Sequence, residues 1–522
     1  MRRILSNGLF MAAMLLVGIS SCKKDEVIVK ATGVTLDQTT AIVRIGTPLK
    51  LTASIAPFDA TDKTMTWTTQ DATIATVAAD GTVSGVAIGT TDITVKTTDG
   101  LFTGKCAVTI FPAAGSTVTL TGNITANMTL KSDINYVVDN FVYVKSGATL
   151  TIEPGTILKG KVDSKATLII ERGGKIMADG TAAKPIVFTS AKASGQRAAG
   201  DIGGIIICGK AKVNAPGGEA TIEGGVGSLY GGTDDNDNSG ILRYVRIEFP
   251  GYAFALNIEI NGLTMGGVGK GTIIDYVQVS YSNDDSFEWF GGTVNCKHLI
   301  AFSGWDDEFD TDYGFSGFVQ YIVGLRDPLL ADQSKSNGFE SDNDATGSSN
   351  VPTTNPKFAN VSLFGPLATA ATTINPLFQA SMHIRRSSNL EVYNSVFAGW
   401  PKGLLMFGGA TSNLNAGTGA QVKGCILSGM TDAFSGNAAG EQAFFENAAR
   451  INRTIALNTD LKVTNPFNLT APNFLPLTGS PLLTGAATGL PTGLDATDYI
   501  GAFKTTDWTT GWANWTPKTT VY

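Results

Sequence analysis

Charge is scarce in this 522-residue chain: Asp, Glu, Lys and Arg make up 16% of it, against roughly 25% in an ordinary globular protein. Histidine is scarcer still, with His298 and His383 alone, which excludes a multi-histidine zinc centre. A basic excess is missing, since the net charge is −7, so nucleic acid as a partner has no electrostatic footprint. Five cysteines show neither a CxxC pair nor a regular spacing, which argues against a disulfide scaffold or a thiolate metal site. Cys106, Cys208, Cys296 and Cys425 lie singly inside apolar runs and read as inert, buried thiols. What the chain has in plenty is glycine, 61 residues, alongside 43% hydrophobic residues. That composition predicts a large all-β core built from many short strands and tight turns, not a helical bundle.

The first residues read as an address. Arg2 and Arg3 precede an apolar stretch from Gly8 to Ile19, too short to span a bilayer but of the length of a signal-peptide core. Ile19-Ser20-Ser21-Cys22 resembles a bacterial lipobox. The resemblance implies a signal peptide over 1–21 and diacylated Cys22 as the mature N-terminus, with residues 22–30 as a tether. A lipid-modified cysteine supplies the two acyl chains that stable membrane attachment needs. Lys23-Lys24-Asp25-Glu26 resembles the charged export signal of Gram-negative surface lipoproteins, so the expected location is the outer membrane, facing outward.

Residues 31–112 alternate apolar and polar positions through Leu49-x-Leu51-x-Ala53-x-Ile55, Met65-x-Trp67, Ile93-x-Val95 and Cys106-x-Val108-x-Ile110. The turns Asp80-Gly81 and Asp99-Gly100 separate them, as in antiparallel strands. Together with Gly81-Thr82-Val83-Ser84-Gly85-Val86-Ala87 and Gly89-Thr90-Thr91-Asp92-Ile93-Thr94-Val95, this order resembles the group 2 bacterial immunoglobulin-like domain. The resemblance implies a β-sandwich that serves as a spacer or adhesin module without catalytic residues. Trp67 reads as the core aromatic between its sheets.

Residues 115–522 carry a repeat. Tyr276-Val277-Gln278-Val279 recurs as His298-Leu299-Ile300-Ala301, 22 residues on, and Tyr321-Ile322-Val323 follows 23 later. Tyr244-Val245-Arg246-Ile247 stands 32 residues before Tyr276, with a glycine-rich insertion between. On this alignment Phe397-Ala398-Gly399-Trp400 repeats Phe302-Ser303-Gly304-Trp305. A period near 22 with insertions fits a β-solenoid, whose coils pair only with their neighbours. Gly147–Thr156 and Leu168–Gly174 resemble the opening coils of right-handed parallel β-helix proteins, and Pro476–Leu482 resembles their closing motif. Gly291-Gly292-Thr293-Val294 and the acidic coils resemble a family of secreted β-helix proteins without a settled activity.

One constellation could carry chemistry. Registered on phenylalanine, the coils read Asp285-Ser286-Phe287-Glu288, Asp307-Glu308-Phe309-Asp310 and Asn337-Gly338-Phe339-Glu340. If phenylalanine points inward, Glu288, Asp310 and Glu340 share one outer face and Asp285 and Asp307 form a second file at the turn. Carboxylates so placed repel and need a proton, a cation or turn hydrogen bonds. Calcium at Asp285, Asp307 and Asp310 answers that need, and so do purely structural Asx turns. Of the nearby aromatics Tyr252, Trp289, Phe290, Trp305, Tyr313 and Phe315, Trp289 and Trp305 are the expected sugar platforms. The insertion around Asp234, Asp235 and Asp237 offers a second cluster of oxygens, read either as a calcium loop or as a polar turn.

Asn283-Asp284-Asp285 and Trp305-Asp306-Asp307 also resemble the two acidic motifs of the polygalacturonases. That resemblance implies Asp284, Asp285, Asp306 and Asp307 as catalytic residues of glycan hydrolysis, with carboxyls roughly 6.5–9.5 Å apart for inversion. The same family's Gly-His-Gly and Arg-x-Lys motifs are absent, and His383-Ile384-Arg385-Arg386 has the wrong form. A lyase would instead pair Ca²⁺ with an arginine, for which Arg326 and Arg385 stand equal. Three functions follow: a surface lipoprotein that binds glycan or mediates adhesion, a polysaccharide-active enzyme, and a structural surface component.

Overall fold

The computed structural model describes residues 27–253, 259–407, 420–434 and 440–522. The expected signal peptide and Cys22 lie outside the described residues. The chain divides into two units, Met1–Ala114 and Gly115–Tyr522.

In the first unit, a four-stranded sheet orders Thr40–Arg44, Thr103–Phe111, Gly89–Thr97 and Met65–Thr69 side by side. A three-stranded sheet, Leu49–Lys50, Thr82–Gly85 and Ala75–Val77, carries the other half of the core. Val43, Leu51, Val83, Ile93, Cys106, Val108 and Ile110 fill the space between, with Trp67 packed against them. Alternation therefore did what period-2 patterning demands, one face in and one out. At the Asp80-Gly81 turn a side chain on Gly81 would meet the Leu51 carbonyl oxygen at 2.5 Å, and φ there is +86°, so only glycine fits.

The second unit is built on a sheet of 26 strands, among the described residues, wound into a parallel solenoid, with two small antiparallel pairs beside it. One face stacks the strands Gly204–Cys208, Leu263–Val268, Phe287–Gly292, Phe309–Asp312, Phe339–Ser341 and Ala380–Ile384. Long strands such as Ile273–Ser280, Asn295–Phe302 and Phe318–Leu325 bend midway and serve the two other faces. The bends fall at Tyr244, Tyr276, His298, Tyr321, Asn360 and Asn394, all with φ between 48° and 60°. Left-handed backbone costs about 1–2 kcal/mol for a non-glycine residue. Ring stacking offsets it: Tyr244 on Tyr276 at 4.4 Å, Tyr276 on His298 at 4.2 Å, His298 on Tyr321 at 5.2 Å. The core runs up the axis as files, Phe287 on Phe309 and Phe309 on Phe339 among them.

Two expectations change. Strand pairing places Ala398, not Phe397, on the file of Phe302, through Leu325 and Phe364. Phe397 points into the core against Phe339; a one-residue slip reverses inside and outside. Coiling also stops at Ile455, the last strand residue paired to a lower coil, so the solenoid does not extend to residue 522. Pro466, Pro472, Pro476, Pro481 and Pro491 cannot donate to a ladder. Residues 456–522 instead run back along the flank as a strap. Side-chain amides clamp its peptide groups in both directions. Asn394 Nδ2 donates to Ala487 O and its Oδ1 accepts from Ala487 N, at 3.1 and 2.6 Å. Gln320 does the same with Asp495, at 2.9 and 2.8 Å, and Gln278 with Asn514, at 2.8 Å each way.

Candidate acidic site on the solenoid face

The file expected from the Phe register is present. Thr264, Glu288, Asp310, Glu340 and His383 are direct partners on successive coils, spaced about 4.8 Å apart by strand pairing. At the turn before these strands a second ladder forms. Asp285 Oδ1 accepts the Asp307 N–H at 2.8 Å, Asp307 Oδ1 accepts the Asn337 N–H at 2.5 Å, and Asn337 Oδ1 accepts the Ala380 N–H at 3.2 Å. Each side chain thus stands in for a backbone acceptor of the next coil. Asp285 and Asp307 are structural turn residues through one oxygen and remain available through the other.

The two files converge. Carboxylate oxygens of Asp284, Asp285 and Asp306 lie within 4.8 Å of one another, as do those of Asp285, Glu288 and Asp310, and those of Asp307, Asp310 and Glu340. The cation ligands expected from the sequence, Asp285, Asp307 and Asp310, do not form one triad; they divide between two triads that share Asp310. Two oxygens bound to one Ca²⁺ at about 2.4 Å cannot be more than about 4.8 Å apart, so each triad meets the distance limit for a common cation. Asp306 Oδ1 and Asp310 Oδ1 are buried and accept no hydrogen bond, which leaves them the oxygens to spend on one. Asp284, Asp306, Asp310 and Glu340 are half-buried, and Glu223 is an exposed residue.

Burial is the first cause of the site's acid–base behaviour. It holds Asp285, Glu288 and Asp310 well above the usual carboxylate range, and each has carboxylate neighbours that push further: Asp284 on Asp285, Glu223 on Glu288, Glu340 on Asp310. Asp284 and Asp306 move the same way. Asp307 is pushed up to about 8 by burial and Glu340, whereas Glu340, opposed by Arg385, reaches about 7. Protonated and ionised carboxyls therefore coexist here near neutral pH.

Residues remote in sequence complete the site. His383, 43 residues beyond Glu340, sits one coil above it with Nδ1 at 3.2 Å from Glu340 Oε2. Burial and Arg385 push its imidazole down to about 4, so it is neutral. Arg385 pairs with Glu340 and donates through Nε to Asp342 Oδ1 at 2.9 Å, and Arg386 joins Asp342 at 2.7 Å. His383, Arg385 and Arg386 thus close the acidic file. Glu223 arrives from the connection between Cys208 and Gly240, and Asn261 Nδ2 donates to both Glu223, at 2.7 Å, and Glu288. Alternation reveals the file, but no local signal marks Glu223 or His383, because insertion length hides which coil follows which.

Other expectations fail on burial. Trp289 is 0% exposed, stacked on Phe315 at 5.2 Å, so it is core and not a sugar platform: it alternates with Glu288 and must face in. Trp305 is half-buried beside Asp306, so burial does not remove it from the surface. Arg326, 1% exposed, donates to Gly304 O at 2.7 Å and Asn337 O at 3.2 Å with Nε 3.3 Å from Glu308 Oε1; it ties coils together from beneath and is no base. Asp234, Asp235 and Asp237 take Asn236 N, Lys212 and Ser239 as partners and are not among the carboxylate triads of the described residues. His298, beside Asp275 at 2.8 Å, belongs to the corner stack.

A parallel solenoid with an acidic outer file is also what comparison finds. Residues 122–474 match the profile of the pectate-lyase-like β-helix domain, about two-thirds of the chain. The chain belongs to the pectate-lyase-like β-helix family. Residues 30–108 match the group 2 bacterial Ig-like domain, in keeping with the sandwich. An Ig-like virion protein of Serratia phage KSP90 is 46% identical over 84 residues, 16% of this chain and 33% of that protein. An alpha-L-arabinofuranosidase of Bifidobacterium longum subsp. longum is 43% identical over 86 residues, 16% of this chain and 8% of the enzyme. A 3-O-alpha-D-galactosyl-alpha-L-arabinofuranosidase of the same subspecies is 39% identical over 71 residues, 13% of this chain and 6% of its own length. The chain spans a third or less of these curated relatives. Within the β-helix family, what this member's own residues offer is a file of carboxyls, Glu288 buried and Asp310 and Glu340 half-buried, whose oxygens converge in threes.

Proposed function

We propose that this β-helix protein is a cell-surface lipoprotein that binds glycan through the acidic file, with Ca²⁺ held by the Asp285–Glu288–Asp310 and Asp307–Asp310–Glu340 triads. The observation that carries the reading is the convergence of three carboxylates within 4.8 Å, twice, around the shared Asp310. Bound cations neutralise the file and present open coordination positions to sugar hydroxyls or carboxylates. Trp305 offers its ring beside them, and the Ig-like unit serves as spacer from the Cys22 anchor. Glycan-active enzymes among the partial relatives support a glycan context. The test is a glycan array probed with and without CaCl₂, then repeated with Asp310→Asn. Binding that needs Ca²⁺ and is lost in the variant is expected; binding indifferent to both refutes the reading. Cys22→Ala is expected to move the protein from the membrane to the soluble fraction.

Cleavage is the second reading, favoured by one observation. Asp307 near 8 and Glu340 near 7 keep an acid and a base within one cluster at neutral pH, the pairing that glycoside hydrolysis uses. Release of reducing ends from acidic polysaccharides, abolished by Asp307→Asn in a folded protein, would establish it.

A further inference from the structure

The geometry points to a second sugar subsite, apart from the acidic file: a pocket between the coils and the C-terminal strap that takes a single neutral hexose residue. The cavity measures about 360 Å³ and is lined by His298, Tyr321, Tyr499, Lys504, Thr505 and Trp508, among others. That is the small end of the roughly 300–1,000 Å³ usual for small-molecule sites, room for one sugar ring.

Its walls are fixed before any ligand arrives. His298 is stacked between Tyr276 at 4.2 Å and Tyr321 at 5.2 Å. Asp275 Oδ1 holds His298 Nδ1 at 2.8 Å, which leaves Nε2 as the nitrogen available to a hydroxyl. Trp508 is locked by Phe503 at 5.1 Å on a parallel ring and donates through Nε1 to Ala502 O at 3.0 Å. Rigid aromatic walls with a few polar tips are what sugar recognition requires, and preorganisation lowers the entropic cost of binding.

Charge selects a neutral ligand. Lys504 pairs with Asp498 at 2.7 Å, and Lys297, which lies over the Tyr321 ring at 5.9 Å, pairs with Asp495 at 2.7 Å. Each ammonium faces a carboxylate, so the charges at this rim balance. The hydroxyls of Thr505 and Thr506, both exposed at the rim, add donors and acceptors without charge.

The ligand class rests on the glycan-binding reading, so the experiment separates the two sites. Saturation-transfer NMR on the full chain in EDTA, with the methyl glycosides of glucose, galactose and mannose as probes, silences any Ca²⁺-dependent contribution. Transfer to at least one glycoside is expected, reduced at least about fivefold by Thr505→Trp at the exposed rim and by Tyr499→Ala, and unchanged in Asp310→Asn. Absence of transfer from all three probes overturns the subsite. So does transfer that persists in Thr505→Trp and Tyr499→Ala, or that disappears in Asp310→Asn while surviving in Thr505→Trp.

Discussion

Replacing Asp310 by asparagine sets the electrostatics of the acidic file against its hydrogen bonding. Asp310 belongs to two triads whose oxygens lie within 4.8 Å, and its Oδ1 accepts no hydrogen bond. A pair of unit charges at that distance repels by roughly 3 kcal/mol at an effective dielectric near 20. Burial and the Glu340 and Asp307 carboxylates raise the Asp310 carboxyl well above its usual range, so the folded protein holds this proton more tightly than the unfolded chain does. Stability from the group is therefore full at low pH and is lost as pH rises from the unfolded toward the folded value. Asparagine, neutral throughout, escapes that loss. The expected result at about pH 3 in EDTA, below the unfolded value of the carboxyl, is an unchanged melting temperature. At about pH 8 the variant should be more stable by about 1–3 kcal/mol, roughly 2–5 °C for a domain of this size. Excess CaCl₂ should reverse the order, since a ligand at a hundredfold its Kd adds about 2.7 kcal/mol to the wild type and less to a protein missing the shared ligand. Scanning calorimetry over the four combinations decides. A variant less stable than wild type in EDTA near pH 8, or one fully stabilised by Ca²⁺, refutes the argument.

Calcium affinity should itself rise with pH up to about pH 8, because Asp307 near 8 and Glu340 near 7 must lose protons to bind. Titration calorimetry in buffers of different ionisation enthalpy measures the released protons, and a pH-independent affinity would contradict the assignment. Gln278→Ala removes both bonds to the Asn514 peptide and should cost about 1–3 kcal/mol, read as faster proteolysis near residue 514 and a lower melting temperature. Arg326→Met strips carbonyl partners at Gly304 and Asn337 and leaves Glu308 without its cation; a loss of about 3–5 kcal/mol is expected by denaturant titration, with no direct effect on a ligand above the face.

The amino-acid sequence by itself determined the all-β class, the Ig-like sandwich and the coil period, because alternation and a 22-residue offset are local and need no knowledge of what lies across the core. It also determined the acidic file: Phe287, Phe309 and Phe339 must face in, so Glu288, Asp310 and Glu340 must face out. The same alternation applied to Trp289 would have removed it from the surface. Only the tertiary structure decided what depends on insertion length and long-range return. It placed His383 and Arg385 beside Glu340 across 43 and 45 residues, brought Glu223 to Glu288 from a loop, and laid residues 456–522 back along the flank. It also separated turn residues from open ligands, since Asp285 and Asp307 accept neighbouring backbone N–H groups while Asp310 keeps a buried oxygen unspent. A sequence fixes which side of a strand each residue takes; which coils become neighbours, and which oxygens are left over, depends on how every intervening loop closes.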